Sequence, residues 1–168
     1  MINEIKNLND SIFKPLDLQI SGVTPDLECE DYFGFNFKIN QTDIKFRKSK
    51  LTPKKVGQFV TFWKRDSAGK TIPFDINDDF DFYMIQVEEN ENSGFFIFPK
   101  QILERENLIS GKLKTGKRGF RIYADWHFPE NKQADKTKLW QTQFFINYSE
   151  SENEMTKKFK EIIHFKTQ

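Results

Sequence analysis

Hydrophobic side chains recur three to four residues apart at both ends of the chain, which is the spacing of one face of an α-helix. The first pattern predicts an amphipathic helix over residues 1–14, ending before Pro15, and the second predicts a closing helix over residues 153–165. The residues that carry the patterns are Ile2, Ile5, Leu8, Ile12 and Phe13 at the start and Met155, Phe159, Ile162 and Ile163 at the end. Each predicted helix has one apolar face to bury.

Between these helices, alternating and continuous apolar runs predict β-strands. The first strand alternates, with Phe33, Phe35 and Phe37 on one face, and a turn at residues 40–42 returns the chain into the second strand. A loop is predicted around residues 24–26. The predicted strands cover residues 32–39, 44–50, 80–87, 95–98 and 120–123, and residues 139–146 fit either a helix or a strand.

Thr52 and Pro53 predict the start of a further helix, over residues 53–64. The threonine hydroxyl can cap free N–H groups, and proline is favoured at the first helical position. Four apolar residues follow at helical spacing, namely Val56, Phe59, Val60 and Trp63. A short helix is predicted over residues 99–103.

These elements predict a fold of the α/β (α+β) class. A length of 168 residues without a linker or an internal repeat fits a single domain over residues 1–168. Strands and helices that each have one apolar side assemble most simply as a central mixed β-sheet flanked by helices.

The composition narrows the class of protein further. No apolar run approaches the roughly 18 residues of a membrane helix, and the first residues lack the basic and apolar regions of a secretory signal. We therefore expect a cytoplasmic protein with no membrane partner. The single cysteine, Cys29, excludes an intramolecular disulfide framework and a cysteine-rich zinc site, and we expect it to be a partly buried thiol.

Charge is unevenly distributed along the chain, although 26 basic and 25 acidic residues leave a net charge of only +1. Nine basic residues and one acid lie between Lys45 and Lys70, and eight basic residues and three acids lie between Lys112 and Lys138. Residues 75–91 carry seven acids and no base. We expect the acidic segments to lie elsewhere on the surface, so that the two basic blocks can form one cationic groove.

Such a groove predicts a protein that binds nucleic acid without catalysis. Lysine and arginine attract phosphates irrespective of sequence, and exposed aromatic rings stack on unpaired bases, so single-stranded DNA or RNA is favoured over duplex. The predicted helix start at residues 52–55 and the glycine-flanked turn at residues 116–119 suit an anion. We assign phosphate contacts to Lys50, Lys54, Lys55, Lys64, Arg65, Lys117, Arg118 and Arg121, base stacking to Trp126 and Trp140, and Trp63 to the core.

No motif predicts a cofactor or a metal ion. The turn at residues 116–119 lacks the Gly-x-x-x-x-Gly-Lys-Ser/Thr pattern of an ATP-binding loop, and no Gly-x-Gly-x-x-Gly pattern follows a strand. His127 and His164 are isolated from each other and from Cys29, which disfavours an imidazole metal site. We assign His127 to packing or to a hydrogen bond.

Several blocks of the sequence resemble the MepB family of bacterial proteins. They include PFD at residues 73–75, DFDFY at 79–83, GFFIFPK at 94–100, GKRGFR at 116–121 and WQTQ at 140–143, together with the basic run at 46–65. The blocks spread from about Phe35 to Ile146. The resemblance implies a bacterial, cytoplasmic protein, and it implies no reaction and no catalytic residues.

The order of predicted elements is also similar to the core of the PD-(D/E)xK nuclease superfamily, which implies a restriction-endonuclease-like architecture. In that superfamily an Asp and an acid-x-Lys motif bind Mg²⁺ and activate water. The motif falls on residues 48–50, where Lys50 fits the lysine but Lys48 replaces the acid, and Asp31 or Asp43 fits the earlier Asp only loosely. This replacement favours holding a nucleic acid over cutting it.

Two alternatives to non-catalytic nucleic-acid binding stay open. A Mg²⁺-dependent nuclease would use Asp43, Asp75 or Asp81 as ligands and Lys50 as activator. Against this, Asp75 also fits a turn residue that accepts hydrogen bonds from the local backbone. The other alternative is a module that binds a protein partner through a phenylalanine-rich surface, since the chain has 19 phenylalanines.

Overall fold

The computed structural model describes residues 3–165, in which nine strands lie between the first and second α-helices and the remaining helices and strands alternate. The helices are α1 (Asn3–Leu8), α2 (Lys100–Arg105), α3 (Lys132–Gln141) and α4 (Glu152–Ile163). The strands are β1 (Ile20–Pro25), β2 (Phe35–Ile39), β3 (Thr42–Lys48), β4 (Lys50–Leu51), β5 (Gln58–Thr61), β6 (Trp63–Arg65), β7 (Thr71–Pro73), β8 (Phe82–Glu89), β9 (Asn92–Pro99), β10 (Gly119–Ile122) and β11 (Phe145–Asn147). A π-helical segment (Asn9–Phe13) and a 3₁₀ turn (Lys14–Leu16) extend α1, and a 3₁₀ segment (Leu27–Tyr32) separates β1 from β2.

Six strands form the central sheet, in the spatial order β1-β2-β3-β8-β9-β11. The sheet is mixed, as predicted, because β3 and β8 are parallel while the other neighbours are antiparallel. Both predicted hairpins are confirmed: β2 pairs with β3 and β8 pairs with β9. A three-stranded sheet has the order β10-β5-β4, and β6 pairs with β7.

The helices at the two ends of the chain pack together on one face of the central sheet. The Phe13 ring lies 5.6 Å from that of Phe159 in α4 and 6.4 Å from that of Phe37 in β2, measured between centroids. Ile5 and Leu8 of α1 are fully buried. Helices are therefore present at both ends of the described chain, but the α-helical part of the first ends at Leu8, and its π and 3₁₀ extensions continue through Pro15 to Leu16. Ile2 of the predicted pattern lies outside the described residues.

The opposite face of the central sheet is covered by the three-stranded sheet and α3. Tyr83 of β8 and Phe98 of β9 both contact Phe120 of β10, at centroid distances of 6.2 and 6.4 Å. The chain passes from the central sheet into the smaller one at Ser49, whose buried hydroxyl donates to the Gln58 side chain at 2.6 Å. Helices, central sheet and small sheet thus form successive layers of one domain.

The predicted helix over residues 53–64 is wrong. The chain forms a loop through residue 57 and then continues into β5 and β6. Lys54 and Gly57 adopt positive φ angles of 68° and 84°, a conformation that an α-helix does not contain. From Gln58 onward the buried positions alternate, because β5 pairs along its length with β10. Residues 52–55 therefore offer no helix N-terminus to an anion.

Smaller differences occur elsewhere. Residues 24–26, predicted as a loop, include the end of β1, which pairs with β2 through an irregular register between Ser21 and Thr24. Phe33, predicted on the apolar face of the first strand, precedes β2 instead, with a positive φ of 50° and a half-exposed ring. The ambiguous residues 139–146 contain the end of α3 and the start of β11. No helix among residues 3–165 combines the length and the apolar character needed to cross a bilayer.

Candidate functional site

A groove lies between the small sheet, the loop of residues 52–57 and α3. It consists of two adjoining cavities of about 420 and 350 Å³. Both cavities are lined by Arg121 and Tyr123 at the end of β10 and by Asn131 and Ala134 at the start of α3. Because they share these residues, we treat them as one continuous site, the β10–α3 groove.

Cations from both basic blocks of the sequence line this groove. Lys54 and Lys55 come from the first block, and Lys117 and Arg121 come from the second. Within residues 3–165, none of these four side chains lies within 4.0 Å of a carboxylate. The lining also includes two acids, Glu106 and Glu130, so the groove carries an excess of two positive charges.

Arg121 connects β10 to the loop that presents the two lysines. Its guanidinium donates to the Val56 carbonyl at 3.0 Å and to the Thr52 hydroxyl at 2.9 Å. Both acceptors are neutral, so the positive charge of Arg121 is not compensated by these bonds. The side chain therefore holds the loop of residues 52–57 against the small sheet and keeps its charge in the groove.

Aromatic rings accompany the cations. Trp140 of α3 lines the groove, is partly exposed, and packs against Phe98 at a centroid distance of 5.3 Å. Phe59 of β5 is also partly exposed and lies directly opposite Arg121 in the sheet, hence on the same face. Phe59 belongs to the predicted helix over residues 53–64, and its outward position on a strand follows from the pairing of β5 with β10, which no local pattern indicates.

Gly119 makes room for that phenylalanine. A Cβ atom at Gly119 would lie 2.6 Å from Phe59 Cζ, so the ring rests on the bare backbone of β10. On the other side of β5, Lys50 of β4 lies directly opposite Phe59. One row of residues therefore crosses the small sheet and consists of Arg121, Phe59 and Lys50. The Cα atoms of Arg121 and Lys50 are about 10 Å apart, which is twice the spacing of neighbouring strands.

Of the ten sequence-predicted site residues, the structure places five in the groove, which are Lys54, Lys55, Lys117, Arg121 and Trp140. Lys50 lies outside it, with its Nζ 4.5 Å above the Tyr32 ring. Arg118 is exposed and lies 3.4 Å from the Thr71 hydroxyl without lining either cavity.

Lys64 and Arg65 are engaged with carboxylates. Lys64 lies 2.7 Å from Asp78 and 3.5 Å from Asp75. Burial opposes the charge of Lys64, but the hydrogen bond to Asp78 and the charges of both carboxylates outweigh it and raise the pKa of Lys64 above its ordinary value. Arg65 lies 3.5 Å from Glu28 and stacks over Trp63. Their predicted phosphate contacts would require these pairs to break.

Trp126 lies outside the groove. Its ring packs against Phe145 of β11 at a centroid distance of 5.5 Å, and its Nε1 donates to Glu89 at 3.0 Å. His127 is buried beside it and bonds the same carboxylate at 2.7 Å, as expected for a histidine used in packing and hydrogen bonding. The expected base-stacking role of Trp126 has no support in this placement.

The acidic segments do not all lie elsewhere, which corrects the expectation from charge distribution. Asp75 and Asp78 pair with Lys64, and Glu88 pairs with Lys48 at 2.9 Å. The fully buried Arg47 pairs with Asp26. Much of the first basic block is therefore neutralised inside the fold, and only its loop at residues 54–55 adds free charge to the groove.

The residues of the alternative nuclease site are separated. Asp81 accepts from the Asp43 backbone N–H at 2.8 Å, so these two acids are neighbours at the start of β3 and β8. Lys50 follows the far end of β3, seven residues from Asp43, which corresponds to about 23 Å along an extended chain. Asp75 accepts from the backbone of Asn77 at 2.7 Å, the turn role expected for it. Among residues 3–165, no group of three or more His, Cys, Asp or Glu side chains is arranged to hold a metal ion.

Comparison of this chain with known proteins identifies the family to which it belongs. The family model described as MepB-like matches residues 26–147. A solved structure, the crystal structure of MepB, has 28% sequence identity and a TM-score of 0.77 and covers 90% of this chain and 100% of its own. No curated protein matches. The matched segment contains the sequence blocks that resemble this family and exceeds half of the chain, so the chain belongs to the MepB-like family.

Proposed function

We propose that this protein binds single-stranded nucleic acid, DNA or RNA, in the β10–α3 groove, without acting on it as an enzyme. The observation that carries the proposal is the meeting of Lys54, Lys55, Lys117 and Arg121 in one groove, free of carboxylate partners within the described chain. A groove with several uncompensated cations attracts a polyanion, because phosphate binding releases condensed counterions.

The aromatic and amide groups of the groove favour an unpaired strand. Trp140 is partly exposed in the lining, and an indole face can stack on any unpaired base at about 1–3 kcal/mol per base. Asn131 and Gln133 also line the groove and can bond the Watson–Crick edges of bases, which are exposed only in an unpaired strand. In a duplex, the bases would be unavailable to Trp140.

The first test is a salt titration of binding to a fluorescent single-stranded oligonucleotide, followed by anisotropy. If four cations each contact one phosphate, the logarithm of the association constant should fall with the logarithm of salt concentration with a slope of about −3. A duplex of the same sequence should bind more weakly. No affinity for single-stranded DNA or RNA at low salt would overturn the proposal.

Variants make the test specific to the groove. Lys117→Ala and the double variant Lys54→Ala with Lys55→Ala should each weaken binding and reduce the salt slope by about 0.7 per lysine removed. The matched control is Lys157→Ala with Lys160→Ala, since both lysines are exposed on α4, beyond the other face of the central sheet. Equal losses for groove and control variants would place binding outside the groove.

The variant Trp140→Leu separates the contribution of base stacking to oligonucleotide affinity from the contribution of charge. It should weaken binding to single-stranded oligonucleotides while leaving the salt slope unchanged, because no phosphate contact is removed. Since Trp140 also packs against Phe98, the melting temperature of the variant is measured alongside. A change in slope without a loss of affinity would contradict a stacking role.

A further inference from the structure

The outer face of the small sheet carries an aromatic ring next to the β10–α3 groove. Val60 of β5 and Phe120 of β10 are buried between the two sheets, so the residues that alternate with them point away from the central sheet. Phe59 and Arg121 are two of these outward residues, and both are partly exposed. The outer face therefore presents a phenylalanine beside one of the four cations that line the groove.

The Phe59 ring lies along the surface of the sheet. Gly119 is its diagonal neighbour on β10, and diagonal neighbours of an antiparallel pair are about 7–8 Å apart. A Cβ atom at Gly119 would nevertheless lie 2.6 Å from Cζ and 3.1 Å from Cε1 of the ring. The ring therefore leans across β5 onto the bare backbone of β10, and its exposed side forms a flat apolar surface, the Phe59 platform.

Cations border the Phe59 platform on both sides. Arg121 lies directly opposite Phe59 on β10, and Lys50 lies directly opposite it on β4. Within residues 3–165, neither cationic side chain lies within 4.0 Å of a carboxylate. An exposed ring between two uncompensated cations favours a ligand that is both aromatic and negatively charged, which describes a nucleotide.

We infer that Phe59 is a second base-stacking position, which takes the base of the nucleotide whose phosphate meets Arg121. This inference rests on the proposed function, since it concerns the same single strand. Arg121 lines both cavities of the groove and belongs to the outer face of the small sheet, so a strand in contact with it reaches the platform. Trp140 then stacks a base inside the groove and Phe59 stacks one beside it.

Photo-crosslinking on the unmodified protein locates the stacked base. In a single strand of about six nucleotides, 5-iodouracil replaces each base in turn, and mass spectrometry identifies the residue crosslinked after irradiation. One position of the strand should crosslink to Phe59. If the strand binds and no position crosslinks to Phe59, the inference is overturned. This measurement needs no variant, so it does not depend on how a substitution affects folding.

Substitutions of the ring measure its contribution to affinity. Phe59→Leu should weaken binding of the same strand at least about fivefold without changing the salt slope, because a stacking surface is lost and no phosphate contact is removed. Phe59→Tyr keeps the ring and should bind within about twofold of the wild type. A loss of affinity in Phe59→Tyr equal to that in Phe59→Leu would contradict stacking.

Phe33→Leu is the matched control for an exposed phenylalanine. Its ring is 50% exposed and lies 5.5 Å from Lys48 Nζ, but that lysine is paired with Glu4 and Glu88, so the charge beside this ring is compensated. Phe33→Leu should bind like the wild type. Equal losses for Phe33→Leu and Phe59→Leu would overturn the assignment to Phe59.

Gly119→Ala tests the position of the ring while keeping its chemistry. The added Cβ atom would occupy the place of the ring edge, so the ring must tilt and affinity should fall about as far as in Phe59→Leu. Melting temperatures of both variants are measured alongside. If the wild type binds and Trp140→Leu weakens binding while Phe59→Leu and Gly119→Ala do not, this inference fails and the proposed function stands. If the wild type binds no single strand at low salt, both fail.

Discussion

His127 is held in one tautomer by its two hydrogen bonds. Its Nδ1 accepts from the Ala124 backbone N–H at 2.8 Å, so the proton must lie on Nε2, which donates to Glu89 at 2.7 Å. Trp126 donates to the same carboxylate oxygen, so two donors converge on Glu89 at the end of β8. Burial is the main cause that lowers the pKa of His127, and the hydrogen bond with Glu89 and its charge only partly offset it.

This arrangement predicts that acid destabilises the protein through His127. A group whose pKa is lower in the folded state favours folding in its neutral form, so its stabilisation is complete above the unfolded pKa, near 6.5, and is lost as the pH falls through the lower folded value. Protonation would also turn Nδ1 into a donor facing the Ala124 N–H. Urea unfolding between pH 7.5 and pH 5 should therefore show a smaller pH dependence for His127→Gln than for the wild type.

The exposed His164 is the matched control for this titration. His164→Gln should leave the pH dependence of unfolding unchanged, since this ring is exposed at the end of α4. If the two glutamine variants change the pH dependence equally, the neutral buried state assigned to His127 is wrong.

Arg47 is the largest charged side chain in the core, 1% exposed, and Asp26 is its carboxylate partner. We predict that Asp26→Asn destabilises the protein by about 3 kcal/mol, because a buried guanidinium would lose its counter-charge. The amide oxygen of asparagine can still accept from the Glu28 N–H, as Asp26 does at 3.2 Å, so the cost reports on the ion pair and not on the turn. Denaturant unfolding measures the difference.

The exposed pair of Lys38 and Asp43, 2.7 Å apart, provides the comparison. Asp43→Asn should cost at most about 1 kcal/mol, since solvent screens both charges. A similar cost for both variants would mean that Arg47 finds another partner when Asp26 loses its charge.

The type of a helix or strand could be predicted from the sequence where its apolar residues follow one period. It could not be predicted for the segment after residue 52, where the apolar residues fit both a helical and a strand period. The paired strands at Phe82–Glu89 and Asn92–Pro99 contain the continuous apolar runs 82–85 and 95–98, and the helix at Glu152–Ile163 has one apolar face, so each pattern admits one structure. After residue 52, apolar residues at 56, 59, 60 and 63 fit a helix, while Gln58 and Val60 are the buried positions of a strand. Pairing with β10, which is distant in sequence, decides between the two, and no local pattern contains that information.

Gly57 is the local feature that commits the loop to its observed path. Its φ is 84°, and a Cβ atom there would lie 2.6 Å from the Ile122 carbonyl oxygen. We predict that Gly57→Ala destabilises the protein by about 2–4 kcal/mol, from backbone strain and from this clash. Because the loop carries Lys54 and Lys55, the same variant should also weaken oligonucleotide binding.

A substitution at Gly69 is the control that separates the cost of backbone strain from the cost of the steric clash expected at Gly57. Its φ is also positive, at 79°, but a Cβ atom there would meet nothing within 4 Å. Gly69→Ala should therefore cost only about 1 kcal/mol by denaturant unfolding and should leave oligonucleotide binding unchanged. Equal costs at the two positions would mean that the Ile122 carbonyl moves aside.

Across the whole molecule, the sequence predicted which two blocks of residues supply positive charge. It did not predict which lysines and arginines of these blocks have no carboxylate partner. Lys54 and Lys117 lie in loops and keep their charge at the groove, whereas Lys64 meets the acidic turn at Asp75 and Asp78. Pairing of this kind depends on how distant segments fold together. Phe59 was missed for the same reason, since its exposure follows from the register of β5 against β10.

The convergence of both blocks in one groove has a measurable consequence for ligand length. Four phosphate contacts within one groove can be satisfied by a strand of about 4–6 nucleotides, which is in the range of small single-strand sites. Affinity should therefore rise steeply up to about six nucleotides and then level off. If the two blocks bound nucleic acid on separate surfaces, affinity would continue to rise with length until one strand reached both.

The variants locate the two ends of this site. With a six-nucleotide strand, Lys117→Ala and the double variant Lys54→Ala with Lys55→Ala should both weaken binding, because one short strand contacts lysines from each block. If only one of the two changes the affinity for the short strand while both change it for a long one, the blocks do not share a ligand. Anisotropy with a length series of one base composition distinguishes these outcomes, since the charge on each nucleotide is constant and only the reach of the strand changes.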